Sequence, residues 1–127
     1  MERKLSTIFA LDVVGFSKLM AIDEDITLAV LKQRREIIDA IIIEHSGRMF
    51  GSAGDSVIAE FDSPVKATEA SIKIQDKMQT INDALPDNQK MQFRIGLNLG
   101  DVMISGDNLY GDAINVAARL EAQAEPE

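Results

Sequence analysis

Apolar and polar positions follow two rhythms along this chain, and where the rhythm changes an element begins or ends. Residues 6–14, STIFALDVV, are β-branched and apolar with one charge, which predicts a buried strand that stops at Gly15. Residues 23–47, DEDITLAVLKQRREIIDAIIIEHSG, carry the period of a long helix. Acidic residues 23–25 suit the positive end of that helix, and Gly47 supplies a stop. Ile26, Val30, Ile37 and Ile41 supply its inward face. RMF (48–50) and SVIAEF (56–61) read as two strands of a hairpin around the tip GSAGD. Residues 63–86 predict a second helix, with Ser63 as cap and Pro64 in the first turn. Its stripe is Ala67, Ala70, Ile74, Met78, Ile81 and Leu85, and Pro86 ends it. In residues 91–106, Phe93, Ile95, Leu97 and Leu99 alternate with polar or small residues. That is a half-buried strand, expected to turn at Gly100–Asp101 into a short partner strand. DNLYG (107–111) reads as a loop, and 112–125 as a third helix closed by Pro126.

The order β-α-β-β-α-β-β-α is an α+β, ferredoxin-like (split βαβ) pattern, an antiparallel sheet with helices packed on it and extra elements. In that arrangement the first strand lies beside the third and runs antiparallel to it. Asp12 stands near the end of the first strand and Asp55 at the start of the third, so two carboxylates distant in sequence converge at one edge of the sheet. A hairpin needs glycine at its turn, not an aspartate wedged before an apolar strand. Two aspartates among glycines make a hard-oxygen site suited to Mg²⁺ and, through it, to phosphate. Small residues at 51–54 let a phosphate approach the backbone, and the DVVGF turn after Asp12 offers N–H donors. On the residues alone a second reading stays open, in which both aspartates cap turns.

Composition narrows the classes. The 127 residues carry a net charge of −8, which argues against a nucleic-acid backbone or an anionic membrane as main partner. With no cysteine there is no disulfide, thiolate metal site or thiol nucleophile. No apolar run approaches the roughly 18 residues of a membrane-spanning helix. The basic start is broken by Asp12 and Gly15 and reads poorly as a signal peptide, so the expected location is cytoplasmic. His45, the one histidine, is expected to meet the last carbonyls of the long helix.

Three segments carry a resemblance to a known family. FALDVVGFSKLM is similar to the first metal-binding segment of class III adenylate and guanylate cyclase catalytic domains. GRMFGSAGDSVIAEF resembles their second, and FRIGLNLGDVMISGDNLYGDAINVAARLE their long downstream signature. The likeness runs over about residues 5–124 with the motifs in order, and it implies a palm-type cyclase fold. It further implies that Asp12, Asp55 and the backbone carbonyl of Val13 hold two Mg²⁺ or Mn²⁺ ions. Gly15, Phe16, Gly54, Gly51 and Asn108 fall at nucleotide-binding positions. Asn115 and Arg119, four apart on one helix face, match the pair that orients the ribose and balances charge on the transferred phosphoryl group. The family works as a dimer, so each chain of a homodimer supplies half of each site.

The resemblance implies conversion of ATP, with GTP as the other candidate, to a 3′,5′-cyclic nucleotide and pyrophosphate, in cyclic-nucleotide signalling. Three features depart from the pattern. Gly51 stands where the family places the lysine that reads the purine. Asn108 stands where adenylate cyclases typically have aspartate. The strands, helix and triphosphate-gripping lysine that normally follow have no counterpart up to residue 127, so residues 1–127 are expected to form one domain lacking its C-terminal part and to be inactive alone. The alternative is a catalytically silent cyclase-homology domain that dimerises or senses nucleotide.

Overall fold

The computed structural model describes residues 2–105 and 108–110. Its elements are β1 (Glu2–Val13), α1 (Phe16–Ile22), α2 (Glu24–Glu44), β2 (Arg48–Ala53), β3 (Ser56–Phe61), α3 (Pro64–Asp83), a single 3₁₀ turn (Asp87–Gln89), β4 (Phe93–Ser105) and β5 (Asn108–Tyr110). They form an antiparallel sheet in the order β2-β3-β1-β4-β5, the split βαβ arrangement with one added edge strand. β1 is central. It pairs with β3 from Thr7–Phe61 to Leu11–Val57, and with β4 from Glu2–Ile104 to Val13–Phe93.

Alternation along β1 sorts its residues onto two faces. Phe9, Leu11 and Val13 join Val57, Ala59, Phe61 and Phe93 beneath α2 and α3, which contribute Ile38, Ile42, Ile74 and Met78. Burial of each such large side chain stabilises by about 1.5–3 kcal/mol. On the other face, Ile8, Ala10 and Val102 form a smaller cluster with Phe50 and Ile58 packed against it. The same alternation carries Asp12 onto this second face.

Both long helices are capped, α3 by Ser63 as expected and α2 by Asp23. Ser63 accepts a hydrogen bond from the Lys66 amide at 3.2 Å, and Asp23 accepts one from the Ile26 amide at 3.0 Å. His45 ends α2, with Nδ1 2.8 Å from the Ile41 carbonyl. Gly47 does more than stop the helix. A Cβ there would meet Ile42 and Phe61 at 2.6–2.7 Å, so only glycine lets the chain pass this close to β3.

Several elements differ from the sequence expectation. β1 begins at Glu2 rather than residue 6, because β4 offers ladder partners along its whole length. β4 does not turn at Gly100–Asp101; those residues pair with Ser6 and Leu5, and tertiary pairing overrides the turn signal. The predicted loop 107–111 instead contains β5, whose residues 108–110 pair with 103–105. The helix α1 was not anticipated. Gly15 opens it at φ 63°, and Asp23 closes it while capping α2.

Candidate active site

The end of β1 and the β2–β3 turn meet at one end of the sheet, as the topology predicts. Ala53 pairs with Ser56, so the turn is Gly54–Asp55, with Gly54 at φ 58°. This left-handed geometry is what glycine supplies at little cost. Asp55 Oδ2 then accepts a hydrogen bond from the Val13 amide at 3.0 Å, which brings its carboxylate to the residue next to Asp12. Val13 itself is anchored, its side chain 2% exposed in the core.

Asp12 lies directly across from Arg94 on β4. Arg94 Nε donates to Asp12 Oδ1 at 3.2 Å and Nη2 to Oδ2 at 3.4 Å, with both side chains partly exposed. A two-point guanidinium–carboxylate contact fixes orientation as well as charge. One residue past β1, the Val14 amide donates to the Gln92 carbonyl at 2.9 Å. Gly15 follows: apart from its chain neighbours, no atom lies within 4 Å of where a Cβ would stand, and the same holds at Gly54. Phe16 begins α1 and packs partly against the core.

The chemistry of these groups is that of hard donors. Two carboxylates and a backbone carbonyl are hard oxygen donors, and a small number of them suits Mg²⁺, which keeps waters and accepts phosphate oxygens. In the folded chain the Arg94 guanidinium contacts both oxygens of Asp12, so a metal ion would share or displace it. Among the described residues no cluster of three or more His, Cys, Asp or Glu forms, at this end of the sheet or elsewhere.

The other predicted positions are spread more widely. Gly51 is in β2 opposite Ile58, not at the hairpin tip, beside a bulge between Met49 and Gly51. It is exposed with no atom within 4 Å of a would-be Cβ. Asn108 opens β5, paired with Ser105. Asn115 and Arg119 lie outside the described residues.

The motif model for the adenylate and guanylate cyclase catalytic domain matches residues 2–127. The chain belongs to this family. The cyclase domain is 42% identical over 126 residues to "Putative adenylate cyclase 3" of Rhizobium meliloti (strain 1021), covering 98% of this chain and 22% of that protein. It superposes on the crystal structure of an adenylate/guanylate cyclase/hydrolase from Silicibacter pomeroyi with a TM-score of 0.87 and 39% identity, covering 99% of this chain and 73% of that one. A bacterial light-regulated adenylyl cyclase gives a TM-score of 0.84 at 29% identity, covering 97% of this chain and 41% of that one. The cyclase domain thus spans about a fifth of the length of its R. meliloti relative. No helix among its described residues is long and apolar enough to cross a membrane.

Two residues of this end of the cyclase domain escaped the sequence reading. Arg94 looks like any polar position of an alternating strand until the register sets it against Asp12. Arg34 is 1% exposed inside α2. A signal for it existed: it falls on the stripe of Val30, Leu31, Ile38, Ile41 and Ile42, where a cation is out of place.

Proposed function

We propose that this domain converts ATP, or GTP as the second candidate, to a 3′,5′-cyclic nucleotide and pyrophosphate, as a cytoplasmic homodimer. The observation that carries the reading is the Asp55 carboxylate on the Val13 amide, next to Asp12, within a family-matched cyclase fold. Asp12, Asp55 and the Val13 carbonyl are the proposed holders of two Mg²⁺ or Mn²⁺ ions. Bound there, such ions would supply acidification of the ribose 3′-hydroxyl and neutralisation of phosphate charge. The ribose 3′-oxygen forms its bond to the α-phosphorus as the bond to the bridging oxygen breaks. Pyrophosphate leaves and the hydroxyl proton is released.

The chain's own contribution is placement and charge. Gly15 and Gly54 leave the backbone bare, so phosphates can approach its amides. Phe16 sets the start of α1 against the core. Asn115 orients the ribose and Arg119 balances charge on the phosphoryl group, both reaching in from the second subunit. Gly51 and Asn108 stand at the positions that would meet the purine.

Gly51 favours a second reading, a catalytically silent domain that dimerises or senses nucleotide, because a bare backbone stands where the family reads the base. The test is direct. The whole protein, incubated with ATP or GTP and Mn²⁺, should form cyclic nucleotide, and Asp55→Asn should abolish it. A folded, dimeric protein that forms none from either nucleotide establishes the silent reading.

A further inference from the structure

Arg34 heads the fully buried side chains by volume, yet among the described residues no carboxylate pairs with it. Its guanidinium donates to Asn82 Oδ1, to the Met91 carbonyl at 3.2 Å and to the Gln89 carbonyl at 3.4 Å, and lies 3.3 Å from Met78 Sδ. Asn82 completes the knot: it donates to the Met91 carbonyl at 2.9 Å and accepts from the Met91 amide at 3.0 Å. Burial pushes the Arg34 guanidinium below its usual range. A buried cation without a counter-charge is costly, and an apolar side chain of similar volume often stabilises more. Core filling therefore does not account for an arginine here.

What Arg34 fastens does. Residues 89–91 are the segment that feeds β4. Immediately after them the Gln92 carbonyl takes the Val14 amide, Phe93 pairs with Val13, and Arg94 grips Asp12. A cleft of about 410 Å³ opens beside this junction, between Val14, Leu19, Asn82, Lys90 and Gln92, so the loop has room to shift if its support loosens.

We propose that Arg34 is a positioning residue: by pinning residues 89–91 to α2 and α3 it sets the placement of the end of β1 and the turn after it, residues 12–15, and with it the metal affinity of the site. The inference rests on the reading of Asp12 and Asp55 as metal holders. Outer partners that orient metal ligands typically change metal affinity ten- to a hundredfold when removed.

The experiment compares wild type, Arg34→Met and Arg34→Lys at a temperature where each is folded. Mn²⁺ binding is read by electron paramagnetic resonance, and Val14 amide exchange by hydrogen–deuterium exchange. Arg34→Met should weaken Mn²⁺ binding roughly tenfold or more and speed Val14 exchange beyond the change in global stability, with Arg34→Lys between. If Arg34→Met does not fold, Arg34→Lys alone should show both effects in smaller measure. Unchanged Mn²⁺ affinity, or Val14 exchange that merely tracks global unfolding, overturns the proposal. Wild-type Mn²⁺ binding that ignores Asp12→Asn and Asp55→Asn overturns the metal reading beneath it, and that outcome is seen without any Arg34 variant.

Discussion

Asp55 uses one oxygen to hold the Val13 amide, and an asparagine carbonyl can accept the same bond. Asp55→Asn should therefore leave urea unfolding nearly unchanged while abolishing cyclase turnover, whereas Asp55→Ala should cost about 1 kcal/mol in stability. A large loss of stability in the asparagine variant would mark Asp55 as a structural cap instead. Gly51 has open space around it and an ordinary backbone, so a lysine fits there without strain. Gly51→Lys with Asn108→Asp should raise the ratio of kcat/KM for ATP over GTP by roughly ten- to a hundredfold, the worth of one charge-assisted hydrogen bond. A wild type that already discriminates a thousandfold would show that another group reads the base. Asp12 and Asp55 were legible in sequence because each is a charge in an apolar or glycine-rich setting. Arg34 and Arg94 were not, because a long cationic side chain in a helix or strand can as easily reach solvent as be buried. Only the neighbours that the fold assembles decide which.

Elements were legible where periodicity ran long, as in α2 and α3, and illegible where pairing partners decided the outcome. Gly100–Asp101 has the composition of a turn but lies opposite Ser6 and Leu5, and the ladder keeps it extended. Close packing between elements gives a sharp test. Gly47→Ala places a methyl group against Ile42 and Phe61 and should destabilise by about 1–3 kcal/mol in urea unfolding. A second test concerns the tie between β1 and the residue after β3. Lys4 Nζ donates to Asp62 at 2.7 Å and also pairs, at 3.1 Å and outside hydrogen-bond alignment, with the buried Glu60. The hydrogen bond to Lys4 holds the Asp62 carboxyl below its usual range and Lys4 above its own. A carboxylate depressed by folding stabilises above its unfolded pKa and loses that contribution as pH falls through the folded value. Asp62→Asn should thus cost no more than about 1 kcal/mol at neutral pH, since Asp62 is exposed. That difference should shrink towards zero in unfolding curves taken below about pH 4. A difference that stays constant into acid would remove the ion pair as its cause.

For the molecule as a whole, the strand order follows from the split βαβ pattern, and the edge strand β5 was the part that composition hid. The proposed dimer places Asp12 and Asp55 of one chain with Asn115 and Arg119 of the other. Asp55→Asn and Arg119→Ala proteins should each be inactive, and an equal mixture should recover about a quarter of wild-type turnover, because half the dimers are mixed and each holds one intact site. A mixture that stays inactive, with exchange of subunits demonstrated, would mean that each chain builds its own site. The central place of β1 has a consequence for how the protein is made. Its residues leave the ribosome well before those of β4, one of the two strands that cover its edges. At roughly 5–20 residues per second, β1 waits for several seconds with a bare edge. Glu2, Arg3 and Lys4 at its start then act as gatekeepers, charges that discourage one nascent strand from pairing with another.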